Sequence, residues 1–325
     1  MKPNVAVIYG GDSAEFVVSV ESSKNVYRSV DPALFKAWKV MMKGTEWSVM
    51  QDDQKIADVD KNDFSFLFNG EKIKFDYAYI IIHGTPGENG ILQGYLDLLR
   101  IPYSTCNVGT SALTFNKYFC SSFLRSFGIK MADSVLLGKT DTVNTDKIIN
   151  ELGLPLFVKP NAGGSSCGVT KVKTKEELEK AVGIALKEDT EVLVEQFIEG
   201  TEFTCGLVKL DGKNVVFPLT EVLPKKEFFD FEAKYTKGMT DEITPARLSE
   251  ELTIKCQALS SAIYDLCQCD GIVRIDYILK DGEFYFLEVN TTPGMTSTSF
   301  IPQQIAAMGE DLSKVLTRII HQKLK

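Results

Sequence analysis

The chain has 325 residues, of which 44% are hydrophobic and 25% charged, as is typical of a globular protein with two or three domains. Net charge is −8 and no Lys/Arg block occurs, so nucleic acid is not an expected partner. No apolar run approaches the length of a membrane span and the N-terminus is no signal peptide, which predicts a cytoplasmic protein without a membrane partner. The seven scattered cysteines include no CxxC pair, which predicts reduced thiols.

The first third of the sequence alternates strands and helices. The strand "NVAVIYGG" precedes a helical segment, and further strands such as "YAYIIIHG" follow. This order predicts a doubly wound, Rossmann-like α/β domain over residues 1–105. The polar residues 44–72 carry turn signals and are predicted to be a peripheral hairpin insertion.

From about Cys106 the pattern changes to strands in runs, separated by amphipathic helices. Runs of this kind indicate α+β folding rather than strict βαβ alternation. Two further parts are predicted, residues 106–203 and residues 204–325.

Polar residues interrupt the closing hairpin "GIVRIDYILKDGEFYFLEVN". Arg274 and Asp276 share one face of the first strand, and Glu288 and Asn290 share one face of the second. The two faces coincide if the connecting Asp-Gly turn has an odd loop length, such as three residues. The carboxylates and the amide oxygen then converge, and oxygen ligands of this kind suit Mg²⁺. The alternative is a buried Arg–carboxylate pair with Asn290 capping the turn.

The stretch "VKPNAGGSSCGVTKV" is a candidate phosphate-binding loop. Lys159 ends an apolar strand, and glycines and the hydroxyls of Ser165 and Ser166 follow it. Glycines let backbone N–H groups approach an anion, and the lysine supplies positive charge. The segment lacks the GxxxxGK[ST] motif of a P-loop. A plain β-hairpin loop is the alternative, but together with a metal site the pattern favours a nucleoside triphosphate.

The strand "EVLVEQFIEGTEF" could present its backbone to adenine, with Glu202 reaching the ribose. By itself this segment is typical of an ordinary edge strand.

The N-terminal strand ends in glycines without a GxGxxG motif, and the second strand has no terminal acid, which disfavours NAD. Glu15 stands where the first helix begins. It either complements the helix dipole or binds a substrate ammonium. His83 ends a strand before "GTPGENG", where ligands of α/β folds collect, and either a structural or a functional role fits it.

In order along nearly the whole chain, "GGDSAE", "HGTPGENG", "VKPNAGGSSCGV", "VEQFIEG", "FDFEAKY", "RIDYIL" and "LEVNTTPGMTSTS" resemble the D-alanine–D-alanine ligase family of the ATP-grasp superfamily. The resemblance implies an ATP-grasp fold behind the Rossmann-like domain. It implies ligation of two D-alanines through a D-alanyl phosphate, with ATP as substrate, for peptidoglycan precursor synthesis. It also implies two Mg²⁺ ions, with Mn²⁺ as an alternative, and a homodimer.

The resemblance also assigns roles to individual residues. The metal ligands are Asp276, Glu288 and Asn290. The nucleotide site comprises Lys117, Lys159, Ser166, Glu195, Gln196, Ile198, Glu202 and Lys234. The catalytic residues are Glu15, Ser165, Tyr235, Arg274 and Gly294, in which the Tyr235 hydroxyl links Ser165 to Glu15. The remaining contacts to the two D-alanines come from Val18, His83, Ser299 and Phe300.

Two departures from the family pattern stand out. The residues after the "SAE" glutamate are Phe16 and Val17 instead of an arginine or a charged pair, and Phe300 replaces a smaller apolar residue. Other functions weighed against the ligase are a D-alanine–D-lactate ligase, an ATP-grasp carboxylase and a catalytically silent ATP-binding sensor. The intact metal set argues against the sensor.

Overall fold

The structure, a computed structural model, describes residues 2–164, 167–224 and 240–325. The strands are β1 (Asn4–Gly10), β2 (Lys36–Lys43), β3 (Glu46–Gln51), β4 (Gln54–Asp58), β5 (Ser65–Phe68), β6 (Glu71–Lys74), β7 (Tyr77–Ile80), β8 (Ser134–Gly138), β9 (Leu156–Pro160), β10 (Thr170–Val172), β11 (Glu191–Gln196), β12 (Thr201–Leu210), β13 (Lys213–Val216), β14 (Thr220–Pro224), β15 (Thr240–Ile243), β16 (Ile272–Lys280) and β17 (Glu283–Asn290). The helices are α1 (Phe16–Ser29), α2 (Ile91–Leu98), α3 (Val108–Phe115), α4 (Lys117–Arg125), α5 (Thr145–Leu152), α6 (Lys175–Ala185), α7 (Glu250–Leu266), α8 (Phe300–Ala307) and α9 (Leu312–Leu324).

The N-terminal part is built on a sheet with the strand order β4-β3-β2-β1-β7. Strands β2, β1 and β7 are parallel, as the alternating pattern predicts, because α1 crosses from β1 to β2. Their parallel direction brings the residues after β1 and β7 to the same edge of the sheet. The predicted insertion at 44–72 consists of two hairpins, β3–β4 at the sheet edge and the separate β5–β6 pair.

The central part is an antiparallel sheet with the strand order β10-β9-β11-β8. Strand β11 pairs with β8 on one side and β9 on the other, so the expectation of an edge strand for this segment is wrong. Its run of buried residues, Val192–Val194, fits an interior position. The glycine-serine loop joins β9 to β10, which pair antiparallel as a hairpin.

The third sheet runs β15-β14-β12-β16-β17, and β13 pairs with β12. Helices α8 and α9 pack one side of it against the N-terminal sheet, since Ile301, Leu316 and Ile320 share a core with Val7 and Tyr79. This shared core fixes the N-terminal part against the C-terminal sheet, so that the loops after β7 and β17 meet. No described helix is long and apolar enough to cross a membrane.

Candidate active site

The polar residues of the closing hairpin lie on one face, as expected, but the turn length that was predicted to bring them there is wrong. Lys280 pairs with Glu283, so the turn has two residues and not an odd number. Both turn residues, Asp281 and Gly282, have positive φ angles of 51° and 76°, as a tight hairpin turn requires. A bulge shifts the register next to Asp276, and Leu287 is the extra residue of β17.

The bulge places Asp276 opposite Glu288 and Arg274 opposite Asn290. Both Asp276 oxygens accept hydrogen bonds from Arg274, from Nε at 2.9 Å and from Nη2 at 2.8 Å. Asn290 Nδ2 also donates to Asp276 at 3.0 Å. Burial alone would lower the pKa of Arg274, but the carboxylates of Asp276, Glu288 and Glu202 together outweigh burial and raise it. The buried ion pair that the sequence offered as an alternative is therefore present.

Lys117 connects the same hairpin to the glycine-rich loop. Its Nζ lies 3.6 Å from Glu288 Oε2 and donates to the Gly163 carbonyl at 2.6 Å. Lys117 is the first residue of α4, which begins there because the Asn116 side chain accepts from the Phe119 amide. The capped start of α4 therefore positions the Lys117 ammonium between the Glu288 carboxylate and the glycine-rich loop, which can bind an anion.

A cleft of about 320 Å³ separates the central sheet from the third sheet. Every described residue predicted for the nucleotide lines it: Lys117, Lys159, Glu195, Gln196, Ile198 and Glu202. Asp276 and Glu288 also line it. Lys159 Nζ lies 2.5 Å from Glu195 Oε2, and both side chains are largely buried.

The apolar walls of this cleft were not predicted. They include Phe157, Val222, Ile278 and Leu287. In β17 the core residues Phe284, Phe286 and Val289 are spaced by two and then by three, which is the sequence signal of the bulge. The bulge thus lets Leu287 and Glu288, neighbours in the chain, both face the cleft.

Glu15 and the glycine-rich loop meet at the edge of the N-terminal sheet. A Cβ atom on Gly164 would lie 2.5 Å from Glu15 Oε2, so any side chain there would have to displace the Glu15 carboxylate. Glu15 precedes α1 and makes no side-chain hydrogen bond that caps the helix. Val18 lies in the same first turn and is partly buried.

His83 lies close by and is 4% exposed. Its Nδ1 lies 2.7 Å from the Thr292 carbonyl, which can only accept, so Nδ1 carries the proton. Nε2 is 3.5 Å from the Ser22 hydroxyl. Burial lowers the pKa of His83, although the Glu15 carboxylate opposes this, and the neutral ring is favoured.

Glu88 belongs to this cluster and was missed, although it lies in the quoted motif "HGTPGENG". Its carboxylate accepts from the Gly84 amide at 2.7 Å and from the Thr292 amide at 3.0 Å. Burial and then the charge of Glu15 raise the pKa of Glu88 to about 8. Glu88 therefore links the loop after β7 to the loop after β17.

Gly294, Ser299 and Phe300 lie together after β17. A Cβ atom on Gly294 would be 3.0 Å from Ser299 Oγ, and Ser299 is the N-cap of α8. The Phe300 ring centroid lies 5.4 Å from the Arg274 guanidinium carbon, a cation–π contact. Phe300, the aromatic residue that departs from the family pattern, therefore packs over the guanidinium that Asp276 binds.

Most of the chain matches models of a known protein family. Family models described as D-ala D-ala ligase N-terminus and C-terminus match residues 4–106 and 123–321. The D-alanine–D-alanine ligase of Phocaeicola vulgatus is 54% identical over 324 residues, covering 99% of this chain and all of that protein. The chain belongs to the D-alanine–D-alanine ligase family.

Solved structures agree with this assignment of the family. D-alanyl-alanine synthetase A from Vibrio cholerae matches with a TM-score of 0.89 and 26% identity, over 99% of this chain and 98% of that one. The VanG D-Ala:D-Ser ligase from Enterococcus faecalis matches with a TM-score of 0.87 and 31% identity, over 99% of both chains. The predicted fold class, a Rossmann-like domain followed by an ATP-grasp fold, is confirmed.

The residues expected to hold Mg²⁺ fit a hard cation. Asp276 and Glu288 contribute carboxylate oxygens on one face, and Asn290 uses its amide nitrogen toward Asp276, which leaves its oxygen available. Arg274 and Lys117 presently contact the two carboxylates. Within the described ranges, no three His, Cys, Asp or Glu side chains form a metal cluster, so the metal assignment remains a prediction.

Four predicted site residues lie outside the described residues, namely Ser165, Ser166, Lys234 and Tyr235. The predicted domain boundaries and the roles assigned to individual ligase residues also remain predictions.

Proposed function

We propose that this chain joins two D-alanines into D-alanyl-D-alanine at the expense of ATP, through a D-alanyl phosphate, to supply peptidoglycan precursors. The observation that carries the proposal is one continuous site. A cleft lined by two lysines and four carboxylates adjoins Glu15 and His83 through the glycine-rich loop. Nucleotide and amino acid can therefore meet beside Gly164.

In the first step, a carboxylate oxygen of the first D-alanine attacks the γ-phosphorus of ATP and ADP leaves. Such transfer depends on positioning and on neutralising charge. Lys117 and Lys159 line the cleft and can bind phosphate oxygens once these compete with Glu288 and Glu195. Glu15 supplies a negative charge for the substrate ammonium, and the neutral His83 beside it adds no repulsive charge.

In the second step, the amine of the second D-alanine attacks the acyl phosphate and inorganic phosphate leaves. The negative charge that develops on the carbonyl oxygen needs a donor fixed in advance. Arg274 is held by Asp276 and covered by Phe300, so its guanidinium is already oriented. The Gly294 amide is assigned as the second donor.

Asp276, Glu288 and Asn290 would hold Mg²⁺, or Mn²⁺, against the phosphates. When bound, the ion would neutralise part of the negative charge of the phosphates. In the absence of phosphate, Lys117 and Arg274 balance these carboxylates.

The proposal includes a cytoplasmic homodimer. Ile91 and Leu98 are 62% and 85% exposed, and they lie two turns apart on one side of α2. Val108, the first residue of α3, is 38% exposed and packs beside Gly94 of α2. An exposed apolar strip of this kind suits a second copy of the chain.

The deciding experiment measures ADP and phosphate release by the purified protein with ATP and Mg²⁺, with and without D-alanine. Release that depends on D-alanine and matches dipeptide formation supports the proposal. Nucleotide binding without turnover would favour the catalytically silent ATP-binding sensor. Turnover that depends on bicarbonate would favour the ATP-grasp carboxylase.

A further inference from the structure

Asn161 is a buried polar residue to which the proposed function gives no role. It follows β9 directly, two positions after Lys159, and its side chain is 0% exposed. Both of its backbone groups and both polar atoms of its side chain make hydrogen bonds within the protein. Two of the partners lie at the start of α4, and the other two belong to Glu191, the first residue of β11.

Asn161 caps α4 from outside the helix. The Lys117 amide donates to the Asn161 carbonyl at 3.0 Å, and the Tyr118 amide donates to Asn161 Oδ1 at 2.9 Å. The Phe119 amide donates to Asn116 Oδ1, so the first three amides of α4 all have acceptors. Amides at a helix start have no partner within the helix, and Asn161 therefore fixes the start of α4 against the glycine-rich loop.

Asn161 is itself held by the central sheet. Its backbone amide donates to the Glu191 carbonyl at 3.0 Å, and its Nδ2 donates to Glu191 Oε2 at 2.7 Å. The next residue, Ala162, donates its amide to Asp189 Oδ2 at 2.7 Å. The beginning of the glycine-rich loop and the start of α4 are thus bound to one short segment, residues 189–191.

This anchoring determines where the Lys117 ammonium lies. Lys117 is the first residue of α4, and its Nζ donates to the carbonyl of Gly163, two residues after Asn161. The same Nζ lies 3.6 Å from Glu288 Oε2. The helix start, the loop and the ammonium therefore form one hydrogen-bonded unit, and Asn161 is the residue that joins its parts.

We propose that Asn161 is a positioning residue, which places the Lys117 ammonium against the phosphates of bound ATP. The proposal rests on the phosphate role that the proposed function gives to Lys117. Without the Asn161 side chain, the Tyr118 amide loses its acceptor and the Glu191 carboxylate loses this donor. The start of α4 can then shift from the loop, and a misplacement of about 1 Å at such a group costs about 10²-fold in rate.

The first measurement compares Asn161→Ala with the parent. The variant should lower kcat/KM for ATP about 10²-fold and should weaken equilibrium binding of ATP and Mg²⁺ measured without D-alanine. Asn214→Ala is the matched control, because Asn214 donates side-chain hydrogen bonds to Ser261 and Asp265 but lies on β13 and does not line the cleft. The control should lower the free energy of unfolding and leave ATP binding as in the parent.

An exchange of donor and acceptor tests the side-chain hydrogen bond itself. Asn161→Asp should weaken ATP binding, because it sets a second carboxylate against Glu191. The addition of Glu191→Gln should restore binding, since the new amide can donate to the new carboxylate, which still accepts from the Tyr118 amide. This pair of variants decides the question if Asn161→Ala fails to fold.

Lys117→Met shows whether Asn161 acts through the lysine. It should weaken ATP binding, and Asn161→Ala should then cause no further loss, because the effects of residues that form one unit are not additive. Additive losses would overturn the proposal, as would parental ATP binding in Asn161→Ala or Lys117→Met, or a double exchange that restores nothing. A parent that binds ATP but lacks D-alanine-dependent turnover counts against the proposed ligase function instead, and the binding measurements still decide the role of Asn161.

Discussion

Asp276 lies directly opposite Glu288 in the β16–β17 ladder, although the turn between their strands has only two residues. The extra residue at Leu287 makes this pairing possible, because it turns Glu288 toward the cleft while Phe286 and Val289 stay in the core. The acidic pair and the apolar wall of the cleft thus come from one backbone irregularity. Each can be tested separately.

Glu288→Ala should lower kcat by about 10²-fold or more, because it removes a carboxylate assigned to the metal that neutralises phosphate charge. Steady-state kinetics at saturating Mg²⁺ measures the effect. Glu283→Ala is the matched control, since Glu283 lies on the same strand and pairs with Lys255 and Lys130 at the surface. Near-normal kcat in Glu288→Ala would refute the metal assignment.

Leu287→Ala should act on nucleotide binding and not on the chemical step. Leu287 lines the cleft as an apolar wall and carries no charge. Loss of its contact area should raise KM for ATP about ten-fold and leave kcat within about two-fold. Kinetics with varied ATP at saturating D-alanine separates the two constants. A large fall in kcat with unchanged KM would contradict this prediction, and would show that Leu287 acts mainly by positioning Glu288.

Glu88 should make the protein less stable as pH rises. Its folded pKa is raised, so its contribution is complete below the unfolded value near 4.5 and is lost as pH rises through about 8. At about 1.4 kcal/mol per pKa unit, the loss amounts to at most about 5 kcal/mol. Glu88→Gln cannot titrate and should become more stable relative to the parent between pH 5 and pH 8.

Urea unfolding of the parent and Glu88→Gln at each pH measures this difference. The comparison is needed because the lowered pKa of His83 acts in the opposite direction below pH 6.5, and taking the difference isolates Glu88. Glu310→Gln, at an exposed position, is the control. A parent–variant difference that stays constant from pH 5 to pH 8 would contradict a buried, protonated Glu88.

The product at pH 7 should be D-alanyl-D-alanine when D-alanine and D-lactate compete at equal concentration. Asp276 balances the charge of Arg274, so the arginine does not repel the incoming ammonium. The resemblance implies that the Tyr235 hydroxyl links Ser165 to Glu15, and with a reference pKa of about 10 this hydroxyl is neutral and adds no positive charge. Mass spectrometry separates the products, and a predominance of the ester would refute this specificity.

The order of motifs in the sequence determined the family, the fold class and six described residues of the nucleotide cleft, but not its apolar walls. Lys117 begins α4, and the other five residues named for the nucleotide lie in or just after β9, β11 and β12, whose hydrophobic patterns are readable in the sequence. The alternation of polar residues in "RIDYIL" and "LEVN" also indicated which side chains belong together. Such patterns can be read from the sequence because the spacing of residues along one strand or helix sets which side chains share a face.

Only the tertiary structure decided how those elements meet. The bulge at Leu287, the interior position of β11 and the burial of Glu88 depend on pairing and packing between segments far apart in the chain. Spacing along a strand fixes which way a side chain points, but the packing of other segments fixes what it touches.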